Sequence, residues 1–176
     1  MTSLVVSVVG VDRPGIVAAV AQALFEHGAN IEDTSMSILR GHFAMTLVVA
    51  TEGGATGVEE ALAGVSRELS LLVGVREIGD DVETRPAAKP YVVSVYGADR
   101  PGIVARVTAL LAAHGVNVTD LTTRLQGAPG AETYVMLIEV DVPEAVEEAT
   151  LMSALGATAE ELGVEATLHA SAADLL

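Results

Sequence analysis

The sequence predicts an α+β fold built from two copies of one β-α-β-β-α-β unit. Each copy is expected to form a four-stranded antiparallel sheet with both helices on one face. Three observations predict it. The segment G-V-D-R-P-G-I-V-A at Gly10–Ala18 recurs as G-A-D-R-P-G-I-V-A at Gly97–Ala105, an offset of 87 residues in a chain of 176. His27-Gly28-Ala29-Asn30 returns as His114-Gly115-Val116-Asn117, and Asp33 as Asp120. Within each half, β-branched apolar runs alternate with stretches of helical spacing. A period this long is no solenoid repeat; it marks two copies of a small domain.

The elements follow in order. Leu4–Val9 is an apolar run suited to a buried strand. Gly10–Arg13 reads as a turn, with Pro14 at the first position of a helix. Ile16/Val17, Val20, Leu24 and His27 recur at helical spacing, and Gly28 suits a left-handed stop. Ile31–Leu39 and Phe43–Ala50 read as strands joined at Arg40-Gly41-His42. Glu52–Gly57 reads as a glycine-rich loop before a helix striped by Val58, Leu62, Val65, Leu69 and Leu72. Val75–Val82 closes the unit as a strand. In the second half Tyr91–Tyr96, Val116–Leu125, Thr133–Val142 and Val164–Ala170 read as strands, and Pro101–His114 and Glu144–Leu162 as helices. A longer Gln126–Ala131 turn joins the middle strands. The domains are therefore 1–83 and 91–171, with a proline-bearing spacer at 84–90 and a tail at 172–176. The ferredoxin-like order puts the first and third strands at the centre of each sheet.

Composition limits the function classes. The chain is 51% hydrophobic but only 3% aromatic, so its cores are built from Val, Leu, Ile and Ala. Net charge is −15. Residues 1–85 hold 5 Lys and Arg against 12 Asp and Glu, and residues 86–176 hold 4 against 12, so the acidity is uniform. Such a surface repels phosphate backbones and disfavours direct nucleic-acid or anionic-membrane binding. The absence of cysteine excludes disulfides, thiolate nucleophiles and Cys-ligated zinc, and agrees with a reducing cytoplasm. The start lacks the basic and apolar regions of a signal peptide, and no apolar run approaches a membrane span. A cytoplasmic protein is expected.

The repeated D-R-P-G turn is the candidate site. Backbone amides at a helix start are unpaired and favour anions. Gly15 and Gly102, lacking Cβ, allow close approach to the backbone. A carboxylate suits the amides near Gly15 and Ile16, and near Gly102 and Ile103. Asp12 and Asp99 at the rim suit an ammonium group. Amide donors beside one carboxylate match a zwitterionic amino acid and not a phosphate. Helix capping is the simpler role for either Asp, and the two roles are compatible. Arg13 and Arg100 read as solvated or ion-paired. His27 and His114 precede helix-ending glycines and complement the helix dipole there, which favours them as structural rather than metal-binding residues. Asn30 and Asn117 suit a turn conformation at the start of a strand.

Catalytic signatures are missing. The sequence has no nucleophile elbow, no Walker lysine and no H-E-x-x-H. Gly53-Gly54-Ala55-Thr56-Gly57 lacks the lysine and spacing of a phosphate loop. Glu59/Glu60, Glu147/Glu148 and Glu160/Glu161 read as solvated helix faces. No cofactor or metal is expected.

A strand, then [G]-x-D-R-P-G-I-V-A, then a helix ending in H-G-x-N-[IV]-x-D, resembles the ACT domain in both halves. The tandem arrangement resembles the glycine cleavage system transcriptional repressor type. That resemblance implies small-molecule sensors, usually of amino acids, whose domains pair side by side through their sheets. It implies ligand contacts near the turn, at Asp12, Pro14, Gly15 and Ile16, and from the Asn of G-x-N, Asn30 or Asn117, with the Asn of one domain facing the turn of another. Asp99, Pro101, Gly102 and Ile103 form the second turn. The family's serine-sensing pattern often has Asn where this chain has Asp12 and Asp99. The reading is a non-enzymatic regulator that binds a small amino acid of the glycine or serine class. It would act on a regulatory protein or enzyme partner, with its domains paired within one chain or, as expected, in a homodimer. Two rivals stand beside it. One is an interaction module with vestigial sites, and the other is a subunit of an amino-acid or one-carbon metabolic enzyme.

Overall fold

The computed structural model describes residues 1–79, 87–128 and 132–171. The chain divides into two compact units, Met1–Glu83 and Thr84–Leu176. Unit 1 runs β1 (Thr2–Val11), α1 (Ile16–Glu26), β2 (Asn30–Leu39), β3 (His42–Thr51), α2 (Gly54–Leu69) and β4 (Leu72–Glu77). Unit 2 repeats the order as β5 (Ala88–Gly97), α3 (Ile103–Ala113), β6 (Asn117–Gln126), β7 (Thr133–Pro143), α4 (Glu148–Leu162) and β8 (Val164–Ala170). All ladders are antiparallel, in the orders β2-β3-β1-β4 and β6-β7-β5-β8. The first and third strands of each unit are central, as expected.

Period-two alternation builds each core. Leu4, Val6 and Val8 of β1 bury one face against Ile16, Val20 and Leu24 of α1 and Val58 and Leu62 of α2. In unit 2, Val93, Val95, Met136, Ile138 and Val140 meet Ile103, Val107, Leu111, Leu151 and Leu155. Both helices contribute their i, i+4 stripe, which is what places them together on one face of the sheet.

Several boundaries differ from the sequence reading, each for a local reason. β1 continues through Gly10 and Val11, which pair with Phe43 and His42. Pro14 stands two residues ahead of α1, because Pro14–Gly15 forms a turn and Gly15 is left-handed at φ 96, ψ −10. Pro followed by a positive-φ glycine is the type II signature. Pro101–Gly102 repeats it, with Gly102 at φ 97, ψ −7. Glu52–Gly57 is only partly loop, since α2 begins at Gly54. α4 begins at Glu148 rather than Glu144, because Glu147 is extended and Val146 N–H bonds to Pro143 O at 2.9 Å. β4 begins at Leu72, one residue beyond Ser70, which ends α2 in a left-handed conformation.

The spacer is shorter than its two prolines imply. Ala88, Lys89 and Pro90 are strand residues, paired with Pro143, Val142 and Asp141. β8 pairs with β5 from Tyr91 onward, and just past its end Ser171 N–H donates to Pro90 O at 2.9 Å, so Pro90 stands at the end of that ladder. An end position of this kind tolerates its missing N–H. Residues 80–86, 129–131 and the tail 172–176 lie outside the described residues, and with them the end of the strand expected at Val75–Val82 and the domain end at 83.

Candidate functional site

In unit 1 the D-R-P-G turn opens onto a pocket of about 490 Å³. Asp12, Arg13, Pro14, Gly15 and Ile16 line it, with Val17, Ala18 and Ala21 of α1 and with Met36 and Phe43 of the hairpin. The hairpin fixes the turn: Asp12 N–H donates to Gly41 O at 2.9 Å. α1 opens with Ala19 N–H bonded to Gly15 O at 2.9 Å. The amides of Ile16, Val17 and Ala18 precede that bond and have no intrahelical partner. One cavity therefore collects unpaired amides, a carboxylate, a guanidinium and an apolar floor. Its size falls within the range of small-molecule sites.

Asp12 and Asp99 do not cap their helices. Neither α1 nor α3 has a side-chain cap hydrogen bond. The left-handed glycine occupies the N-cap position, which leaves each Asp three residues upstream. Asp12 instead stands at the rim of the pocket with its carboxylate exposed.

Asn30 is remote from this pocket within its own unit. It starts β2 opposite Ala50, which pairs with Ser3 at the beginning of β1. Asp12 follows the other end of β1, at Val11. Eight residues of strand separate the two ends, about 26 Å. Asn117 holds the same place in unit 2, opposite Asp141.

The second turn has different surroundings. Tyr134 stands opposite Gly97 as Phe43 stands opposite Gly10. Thr123 stands opposite Met136 as Met36 stands opposite Met45. Burial raises the Tyr134 phenol above its ordinary value; a hydrogen bond with Thr123 opposes this, and the Asp99 carboxylate adds to it. The aromatic and β2-type positions that are wholly apolar in unit 1 thus carry hydroxyls in unit 2. Arg100 reaches away, with Nη1 donating to Leu162 O at 3.3 Å.

The histidines also diverge. Both are helix C-caps, as their spacing predicts. His114 Nδ1 lies 2.9 Å from Leu110 O. His27 packs its ring on the start of α2, where a Cβ at Gly53 or Gly57 would lie 2.5 or 2.6 Å from Nε2. Nε2 is buried with no hydrogen-bond partner. The glycines at 53 and 57 accommodate an imidazole, a role invisible in sequence because the ring and glycines lie about 26 residues apart. Among the described residues no three His, Asp or Glu side chains gather as metal ligands do. Nor is any helix long and apolar enough to cross a membrane.

Comparison with known proteins gives these geometries a context. Models of the ACT domain match residues 2–76 and residues 91–156. The glycine cleavage system transcriptional repressor of Escherichia coli is 29% identical over 170 residues, covering 94% of this chain and 88% of that protein. A UPF0237 protein of Methanosarcina mazei is 36% identical over 75 residues, covering 43% of this chain and 78% of its own length. The crystal structure of an unknown protein from Galdieria sulphuraria superposes with a TM-score of 0.79 at 33% identity, covering 97% of this chain and 98% of that one. The chain belongs to the ACT-domain family and carries one such domain in each half.

Proposed function

We propose that the protein is a non-enzymatic regulatory sensor that binds a small amino acid at its D-R-P-G turn and modulates a partner regulator or enzyme. The unit 1 pocket carries this reading. There Asp12 offers a carboxylate to an ammonium group, while Arg13 and the amides of Ile16 and Val17 offer donors to a carboxylate. That is a receptor for a zwitterion. The name of the Escherichia coli relative, a glycine cleavage system transcriptional repressor, favours glycine or serine and a regulatory partner. Asn30 and Asn117 lie at the far ends of their own units from the turns. They take part only across a pair of ACT domains, which makes a homodimer part of the proposal. Calorimetry of the full chain against the common amino acids tests it. Heat with glycine or serine, lost in Asp12→Ala, is expected; no heat with any amino acid, in folded protein, removes the ligand from the reading.

The rival is a pure interaction module. Its support is the edge strand β2, which exposes Met36, Ile38 and Leu39. Under that reading Asp12→Ala together with Asp99→Ala leaves partner binding unchanged whether or not amino acid is present.

A further inference from the structure

The two D-R-P-G arginines behave differently, and the cause lies on another element. Leu72 stands opposite Val9, and Glu165 stands opposite Tyr96. Val9 and Tyr96 hold the same place in the repeat. Counting back from the paired residues, Ser70 at the end of α2 corresponds to Gly163 at the end of α4. Both are left-handed C-caps, Ser70 at φ 51, ψ 48 and Gly163 at φ 65, ψ 39. In unit 2 the guanidinium of Arg100 lies over Gly163 and donates to Leu162 O at 3.3 Å. A Cβ at Gly163 would lie 2.9 Å from Arg100 Nη1, closer than real Cβ contacts come. In unit 1 that position already has a Cβ, because it is serine. The end of α2 is closed without an arginine: Leu71 N–H donates to Ser66 O at 2.9 Å, and Ser66 Oγ donates to Leu71 O at 2.8 Å. Among the described residues no hydrogen bond or ion pair holds Arg13, and its side chain lines the pocket.

We propose that this C-cap residue decides which D-R-P-G turn binds ligand. Ser70 keeps Arg13 off the helix end and leaves it for the carboxylate of a small amino acid. Gly163 lets Arg100 fold back as a brace on the C-terminal dipole of α4, where a cation is favourable. The chain then binds one ligand, at the turn of unit 1. The inference rests on the amino-acid reading of the turn given above.

Three variants of the full chain test it, with glycine and L-serine as probes in calorimetry. Wild type should show one site per chain. Arg13→Ala should weaken binding by about tenfold or more, as the loss of a charge-assisted hydrogen bond does. Ser70→Gly relaxes a strained φ and so folds, yet it opens the seat over Leu69 and should weaken binding several-fold. Gly163→Ser should displace Arg100 and add a second site per chain, while the affinity of the first stays within about twofold. Two equivalent sites in wild type, or a Ser70→Gly chain that binds as wild type does, overturns the proposal. No heat with either probe overturns the amino-acid reading and the one-site count with it. Amide exchange then still decides the brace. Arg100→Ala should speed exchange at Gly163, whose N–H donates to Glu160 O at 3.1 Å, while Arg13→Ala leaves Leu71 unchanged. Equal effects at the two helix ends overturn the brace.

Discussion

The two halves begin from nearly the same nine residues and make the same turn, with Gly15 at φ 96 and Gly102 at φ 97. What surrounds the turns differs at every position compared. Unit 1 places Phe43, Met36 and a free Arg13 around a pocket. Unit 2 places Tyr134 and Thr123 at the matching positions and ties Arg100 to the end of α4. The backbone of a P-G turn is a local property, set by proline's φ and glycine's tolerance of positive φ. The chemistry of a site is set by side chains that arrive from the hairpin and the far helix, and these have diverged. Repetition of a motif therefore fixes a conformation twice without fixing the side chains around it twice.

The aromatic residues offer a direct way to separate the halves. All three tyrosines (Tyr91, Tyr96 and Tyr134) lie in unit 2, and both phenylalanines (Phe25 and Phe43) lie in unit 1. Tyrosine fluorescence thus reports on unit 2, while circular dichroism reports on both. The largest effect is expected from the cores. Leu47 and Ile138 are fully buried in separate clusters. Leu47→Ala or Ile138→Ala should each cost about 2–5 kcal/mol. Only Ile138→Ala should move the tyrosine-detected transition. A shift of that transition in Leu47→Ala would show that the halves are energetically coupled.

Next comes Gly57, inside α2. An interior Gly→Ala change ordinarily stabilises a helix by about 0.5–1 kcal/mol. Here the new methyl would meet His27 Nε2 at 2.6 Å. Overpacking of this kind costs about 1–3 kcal/mol, so the sign should reverse. Urea denaturation should find Gly57→Ala less stable than wild type, and His27→Ala/Gly57→Ala should recover much of the loss. A stabilised single variant would show that the ring moves freely.

The floor of the second turn predicts a pH dependence that the first lacks. Burial raises the Tyr134 phenol from its ordinary value of 10.0. A group raised on folding contributes stability that is present below its unfolded value and lost as pH climbs through its folded one. Unit 2 should therefore weaken above about pH 10. Tyr134→Phe should remove part of that slope; the Tyr91 phenol, raised by its hydrogen bond to Glu148, keeps its own share. Thermal melts across that range, followed at both transitions, read the difference. The smallest effect belongs to Arg106 and Glu161, an ion pair exposed to solvent on α3 and α4. Glu161→Gln should cost less than about 1 kcal/mol, and less still in molar salt.

Much of the fold was legible because local signals carried it. The repeat, the apolar alternation of Leu4, Val6 and Val8 and the stop at Gly28 each act within a few residues. The strand order followed from the β-α-β-β-α-β pattern. Boundaries that depend on neighbours were not legible. Pro90 sits in a strand through its pairing with Asp141 of β7, and Gly53 and Gly57 leave room at the start of α2 for the His27 ring. The site divided in the same way. Asp12, Pro14, Gly15 and Ile16 are contiguous and line one pocket. Phe43 and Met36 reach it only through strand pairing, and the sequence offered no signal for either. Arg13 read as a solvated side chain, because its distinction from Arg100 is set at Ser70 and Gly163, more than fifty residues downstream.

The most direct measurement is a titration of the isotopically labelled full chain with glycine and then L-serine, followed by amide resonances. The amides of Gly15, Ile16 and Val17 should shift in step with ligand and saturate at one equivalent. Those of Gly102, Ile103 and Val104 should move far less. Parallel shifts at both turns would contradict the assignment of a single competent site, and no shift at Gly15–Val17 would contradict amino-acid binding at the turn.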